Sequence, residues 1–163
     1  MKVELIRPTT KKWQLTKFVS FNFCVYISMY LFDYIKDRNK LNSELRASCR
    51  KAIPIIGDGN CLFRSLAFVL RGTEDEHPTI RHEVCEYLSQ HRADFEVFPD
   101  VMAGWDDFLR KTRELRHYAG EPCILTAAQL YKITILVHSP RLPILRYDGG
   151  QEKVIELAFL GQN

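Results

Sequence analysis

Apolar residues recur along this chain with a period that changes once, near residue 132. In NCLFRSLAFVLRG, Leu62, Leu66 and Leu70 are spaced four apart with Phe63 and Ala67 beside them. That spacing predicts a helix, and Gly72 predicts its end. HPTIRHEVCEYLSQH carries the same stripe in Ile80, Val84 and Leu88, with Pro78 suited to a first turn. A third helix is predicted in GWDDFLRKTRELRHY on Trp105, Phe108, Leu109 and Leu115, where Trp105 and Phe108 read as core. EPCILTAAQLYK predicts a fourth. Upstream, LNSELRASCRKAI predicts a short helix with Leu41, Leu45 and Cys49 on one face, broken by Pro54.

Beyond residue 132 the pattern is that of strands. ITILVHS is a continuous β-branched run, as a strand buried on both faces would be. PILRYDGGQEKVIELAFL predicts two strands around a Gly149–Gly150 turn. Helices first and a compact sheet later make an α+β fold. Residues 1–40 have weaker periodicity and read as an N-terminal extension to a domain over 41–163. Within them FVSFNFCVYISMYLF (18–32) follows Lys11, Lys12 and Lys17, as a signal anchor would. It is interrupted by Ser20, Asn22 and Ser28 and falls short of the roughly 20 apolar residues of a membrane span. Asp33 and Lys36 follow in place of a cleavage site. The segment reads as buried or partner-covered, and membrane association is not expected.

Composition narrows the function classes. With 163 residues, 46% apolar and 26% charged, the chain has the make-up of one globular domain. A net charge of +3, with Lys11–Lys12 and Lys17 as the best basic cluster, is too little to indicate nucleic acid. Five cysteines at irregular spacing, without a CxxC pair, suit a reducing compartment, cytoplasmic or nuclear. His82 and Cys85 stand three apart, but two ligands do not make a metal site, and neither metal nor cofactor is expected. A monomer is expected.

Candidate chemistry concentrates in GDGNCLFRSL, residues 57–66. Cysteine in an apolar helix is most often packing, and Cys24 and Cys85 fit that role. Cys61 differs because it stands at the predicted start of a helix, where unpaired N–H groups and the macrodipole favour a thiolate. The glycines before it let successive amides point one way, as an oxyanion hole requires, worth on the order of 3 kcal/mol per donor. A nucleophile on a tight turn entering a helix recurs in acyl transfer. The turn lacks the ligand spacing of a calcium loop and the lysine of a phosphate-binding loop.

GDGNCLFRSL resembles the nucleophile motif of the ovarian-tumour (OTU) family of cysteine proteases. YAGEPCILTAAQLYKITILVHS is similar to that family's later helix-then-strand segment, and IELAFLGQN to its terminal strand. The resemblance implies a papain-like arrangement of helices packed on a small central sheet. It also implies hydrolysis of ubiquitin linkages, with ubiquitin or polyubiquitin as partner. It makes Cys61 the nucleophile and Asp58 an active-site acid. The backbone N–H groups of Asp58, Gly59 and Cys61 would receive the oxyanion, and Gly57 and Asn60 would form the turn and helix start. In the family a histidine follows the last strand; here that position would come after Asn163, so the domain is expected to stop just before its base. His77, His82 and His91 are expected to face solvent, and His117 and His138 are not expected to substitute. The Glu74–Asp75–Glu76 loop is a candidate for the arginine of the ubiquitin tail, against the commoner role of solvated acids. Binding ubiquitin without cutting it is the alternative reading.

Overall fold

Amphipathic helices need a face to cover, and here a five-stranded mixed sheet supplies two. A computed structural model describes residues 3–8, 25–102, 104–151 and 153–160. The strands are β1 (Val3–Pro8), β2 (Arg50–Pro54), β3 (Thr134–His138), β4 (Leu145–Tyr147) and β5 (Val154–Phe159), in the spatial order β2-β1-β5-β3-β4. Only β3 and β5 run parallel, with Ile135 opposite Ile155 and Val137 opposite Leu157. β1 pairs antiparallel with both β2 and β5.

The helices are α1 (Val25–Ala47), α2 (Cys61–Arg71), α3 (His77–Gln90), α4 (Arg92–Phe95), α5 (Pro99–Met102), α6 (Trp105–Arg113) and α7 (Glu121–Tyr131). Side chains of a strand alternate between faces. Ile135, Val137, Ile155 and Leu157 point to one side and join Phe63, Leu66, Ile80, Val84, Leu88 and Trp105 in the main core. Ala158 lies on the other side, with Ala52, Leu160 and the α1 residues Tyr34, Leu41 and Leu45. The result is helix, sheet, helix in three layers. The stripes predicted for α2 and α3 are buried except at Leu70, which is half-buried, and Gly72 closes α2 in the left-handed region with its N–H on the Phe68 carbonyl.

Four expectations change. A boundary near residue 40 would cut through α1, and β1 lies between β2 and β5, so residues 3–8 are part of the sheet. The short helix expected after Leu41 is the end of the 23-residue α1, which stops before Cys49; that residue is exposed at φ 56, and Arg50–Pro54 is a strand. Leu115 lies beyond α6 and is exposed. The strands on either side of Gly149–Gly150 are not partners, because β4 and β5 lie on opposite sides of β3. The chain passes the start of β3 instead, where Thr134 N–H donates to the Lys153 carbonyl at 2.8 Å. Gly149 is required there for close approach: a Cβ would sit 1.9 Å from the Ala128 carbonyl oxygen.

Of the apolar stretch 18–32, residues 18–24 lie outside the described residues and the remainder opens α1. Among the described residues no helix is long and apolar enough to cross a membrane, and no group of three His, Cys, Asp or Glu side chains could hold a metal ion.

Candidate active site

Cys61 is the first residue of α2, and its side chain is fully buried. The turn before it is wired by short-range polar contacts. Asp58 Oδ1 accepts the Asn60 backbone N–H at 3.0 Å, and Asp58 Oδ2 accepts Asn60 Nδ2 at 2.9 Å. Arg64, one turn into α2, donates Nη2 to Asp58 Oδ2 at 2.8 Å and Nε to both oxygens. Hydrogen bonding from Arg64, then from Asn60, holds the Asp58 carboxyl well below the usual carboxylate range despite partial burial. The Asp58 carboxylate is therefore occupied in holding the turn. Gly57 precedes it in the irregular stretch after β2.

Asn60 begins the helix through its carbonyl, which accepts the Arg64 N–H at 2.9 Å; its side chain makes no capping bond. That side chain faces inward instead. Asn60 Oδ1 accepts the Arg116 N–H at 2.8 Å and Arg81 Nη2 at 2.9 Å. Gly59 stands at φ 85, and a Cβ there would lie 1.9 Å from the Arg116 carbonyl oxygen, so only glycine fits both the conformation and the space. Among the described residues, the N–H groups of Asp58 and Gly59 donate to no partner.

The thiol itself departs from expectation. Burial pushes Cys61 above its ordinary value, and the N–H groups of Leu62 and of Cys61, acting the other way, do not overcome it. A helix start offers amides to a thiolate, but here desolvation wins. No described histidine hydrogen-bonds to Cys61. His77 is buried at the start of α3, contrary to the solvent-facing expectation, and burial followed by Arg64 lowers its pKa. His82 is exposed, while His91 stacks on Tyr87 and bonds its carbonyl. His117 offers its carbonyl to Arg81. His138 Nε2 lies 2.9 Å from Glu156 on the α1 side of the sheet.

Glu74, suggested for a ligand arginine, is engaged within the chain: Oε2 accepts the Ile56 N–H at 3.3 Å and lies 3.9 Å from Arg64 Nη1. Next to Leu62 a mostly apolar cavity of about 160 Å³ opens between Tyr118, Ala119, Val137 and Leu157. On its wall the Tyr147 hydroxyl donates to Glu121 at 3.1 Å, and burial raises the phenol above its ordinary value.

Sequence reasoning missed Arg81. It is buried, and its place was visible: in α3 it stands four before Cys85, on the apolar stripe of Ile80, Val84 and Leu88. A charge on such a stripe signals a partner inside the protein.

Comparison with known proteins bears on the family and the fold. Residues 56–161 match the family model described as OTU-like cysteine protease. OVARIAN TUMOR DOMAIN-containing deubiquitinating enzyme 7 of Arabidopsis thaliana is 29% identical over 76% of this chain and 34% of its own length. OTU domain-containing protein 3 of Mus musculus is 27% identical over 72% of the chain and 30% of its own. The chain thus spans about a third of the length of these relatives. The solved OTU domain of OTUD1 superimposes with a TM-score of 0.69 at 24% identity, covering 80% of this chain and 92% of that one. The viral OTU protease domain of Farallon virus gives 0.52 at 16% identity, over 64% and 75%. The α+β fold is that of OTU domains, and the chain belongs to the OTU-like cysteine protease family.

Proposed function

We propose that this domain hydrolyses ubiquitin linkages with Cys61 as nucleophile. The observation that carries the reading is the turn at 57–60: it delivers a cysteine at a helix start behind amides, those of Asp58 and Gly59, that no described group uses. The relatives named as deubiquitinating enzymes supply the substrate class. In the reaction the sulfur attacks the carbonyl carbon of the ubiquitin terminus, and the C–S bond forms as the carbonyl π pair moves onto oxygen. The N–H groups of Asp58, Gly59 and Cys61 receive that oxyanion. The C–N bond then breaks, the amine departs with a proton, and water cleaves the thioester. The family resemblance implies a histidine base that takes the thiol proton and returns it to the departing amine, and no described histidine bonds to Cys61. Asp58 serves through its N–H and through its hold on Asn60 and Arg64.

Binding without cleavage is the second reading, favoured by the burial that pushes the Cys61 thiol above its ordinary value. Labelling with ubiquitin vinyl sulfone separates the two. Cleavage chemistry predicts a slow adduct that Cys61→Ala abolishes. It also predicts labelling about 10²–10⁴-fold faster when His-Tyr-Asp is appended after Asn163, the usual worth of a general base. Saturable ubiquitin binding with no adduct in either form establishes the second reading and removes the first.

A further inference from the structure

We propose that Arg81 is a positioning residue: its buried guanidinium locks the Gly59–Asn60 turn against segment 112–117 and thereby fixes where the Cys61 sulfur sits. The catalytic consequence rests on the function proposed above; the positional claim does not.

Arg81 is 2% exposed, and its described hydrogen bonds all go to neutral oxygens. Nη1 donates to the Thr112 carbonyl at 2.6 Å. Nη2 serves Asn60 Oδ1 at 2.9 Å, the His117 carbonyl at 2.9 Å and the Gly59 carbonyl at 3.4 Å. Nε is buried without a partner. The guanidinium carbon lies 4.2 Å from the centre of the Phe63 ring. The residues it touches thus stand two before, one before and two after Cys61, and the rest belong to the end of α6 and the loop beyond it.

Burying a guanidinium is costly, and an apolar side chain on this stripe would pack without that cost. What the arginine supplies is reach. A planar fork can bridge several carbonyls from separate segments, whereas a lysine ammonium acts as a single point. The two segments it joins also touch directly, where Asn60 Oδ1 accepts the Arg116 N–H and the Gly59 α-carbon abuts the Arg116 carbonyl. Without Arg81, the carbonyls of Thr112 and His117 and one lone pair of Asn60 lose their donor, and among the described residues the Arg116 N–H to Asn60 Oδ1 bond is the one hydrogen bond left between the turn and segment 112–117. Loosening confined to that turn uncovers the thiol without opening the helical core.

Iodoacetamide labelling read cysteine by cysteine tests this. Cys85 on α3 and Cys123 on α7 are fully buried and report any general opening. In Arg81→Met, Cys61 alkylation should rise about tenfold or more while Cys85 and Cys123 stay within about threefold of the unaltered chain, the mark of local opening. Asn60→Ala should give the same pattern and Arg81→Lys an intermediate one. Labelling by ubiquitin vinyl sulfone should move the opposite way, falling about tenfold, because that reagent needs the positioned sulfur. An unchanged Cys61 rate, or a parallel rise at all three cysteines, overturns the proposal. Should Arg81→Met fail to fold, Arg81→Lys and Asn60→Ala decide by the same criterion. If neither the unaltered chain nor the form extended by His-Tyr-Asp takes up the ubiquitin reagent, the proposed function fails while the iodoacetamide pattern still judges Arg81.

Discussion

Asp58 and Glu156 are both held by arginines, and they are held very differently. Asp58 accepts from the Asn60 amide, from the Asn60 side chain and from two nitrogens of Arg64, all within six residues of itself. Glu156 accepts one aligned bond, from Arg50 Nε at 2.9 Å across 106 residues of sequence. His138 Nε2 approaches its other oxygen to 2.9 Å, yet neither atom makes an aligned hydrogen bond. The two atoms are close but poorly aligned, and a hydrogen bond weakens steeply off its axis. The first cluster is a device of the local chain with its geometry over-determined. The second gathers strands that the fold brings together and fixes nothing comparable.

The largest effect is expected where the first cluster meets its neighbour. Gly59→Ala places a methyl group in the left-handed region and 1.9 Å from a backbone oxygen of Arg116, which cannot rotate away. The conformational cost and the clash together are on the order of 3 kcal/mol, a fall in melting temperature of roughly 10 °C for a domain of this size. A melting temperature within a degree or two of the unaltered chain would show that the turn and the 112–117 segment are not locked together.

Asp58→Asn comes next, and its effect depends on pH. The folded-state pKa of Asp58 lies below its unfolded value, chiefly through the Arg64 hydrogen bond. Its stabilisation is therefore complete above the ordinary carboxylate range, near pH 4, and is lost as pH falls toward the depressed folded value. Urea unfolding near neutrality should find Asp58→Asn less stable by about 1–2 kcal/mol, the worth of a part-exposed, charge-assisted contact. Near pH 3 the gap should narrow. An equal gap at both pH values would mean that the charge of Asp58 is not what holds Arg64.

The same contrast explains what could be read from the chain. α2, α3 and the turn were legible because their determinants lie close together: Leu62, Leu66 and Leu70 for the stripe, Gly-Asp-Gly-Asn for the bend. Arg81 with Asn60 spans 21 residues and Arg116 with Asn60 spans 56, so no local pattern declares either pairing, although a charge on the α3 stripe marks Arg81 as a residue with a buried partner. The misread hairpin has the same origin. Gly149–Gly150 looks like a turn between partners, but partnership was decided by β3, which takes β4 on one side and β5 on the other. The thiol was misjudged for another reason: helix-start amides are local, whereas the desolvation that outweighs them comes from the packed core around Cys61.

Glu156→Gln should have the smallest effect. Glu156 alternates with Ile155 and Leu157, which enter the main core, so its side chain lies on the α1 side of the sheet, away from Cys61. Glutamine keeps an oxygen for Arg50 and removes only the charge, and the Arg50 side chain is 40% exposed, so solvent already screens the pair. The expected loss is under about 1 kcal/mol, with the rate of Cys61 labelling by ubiquitin vinyl sulfone unchanged within about twofold. Labelling slowed well beyond that, with the melting temperature intact, would mean that charge on one face of the sheet is felt at the thiol on the other. The sheet would then transmit between the two clusters instead of separating them.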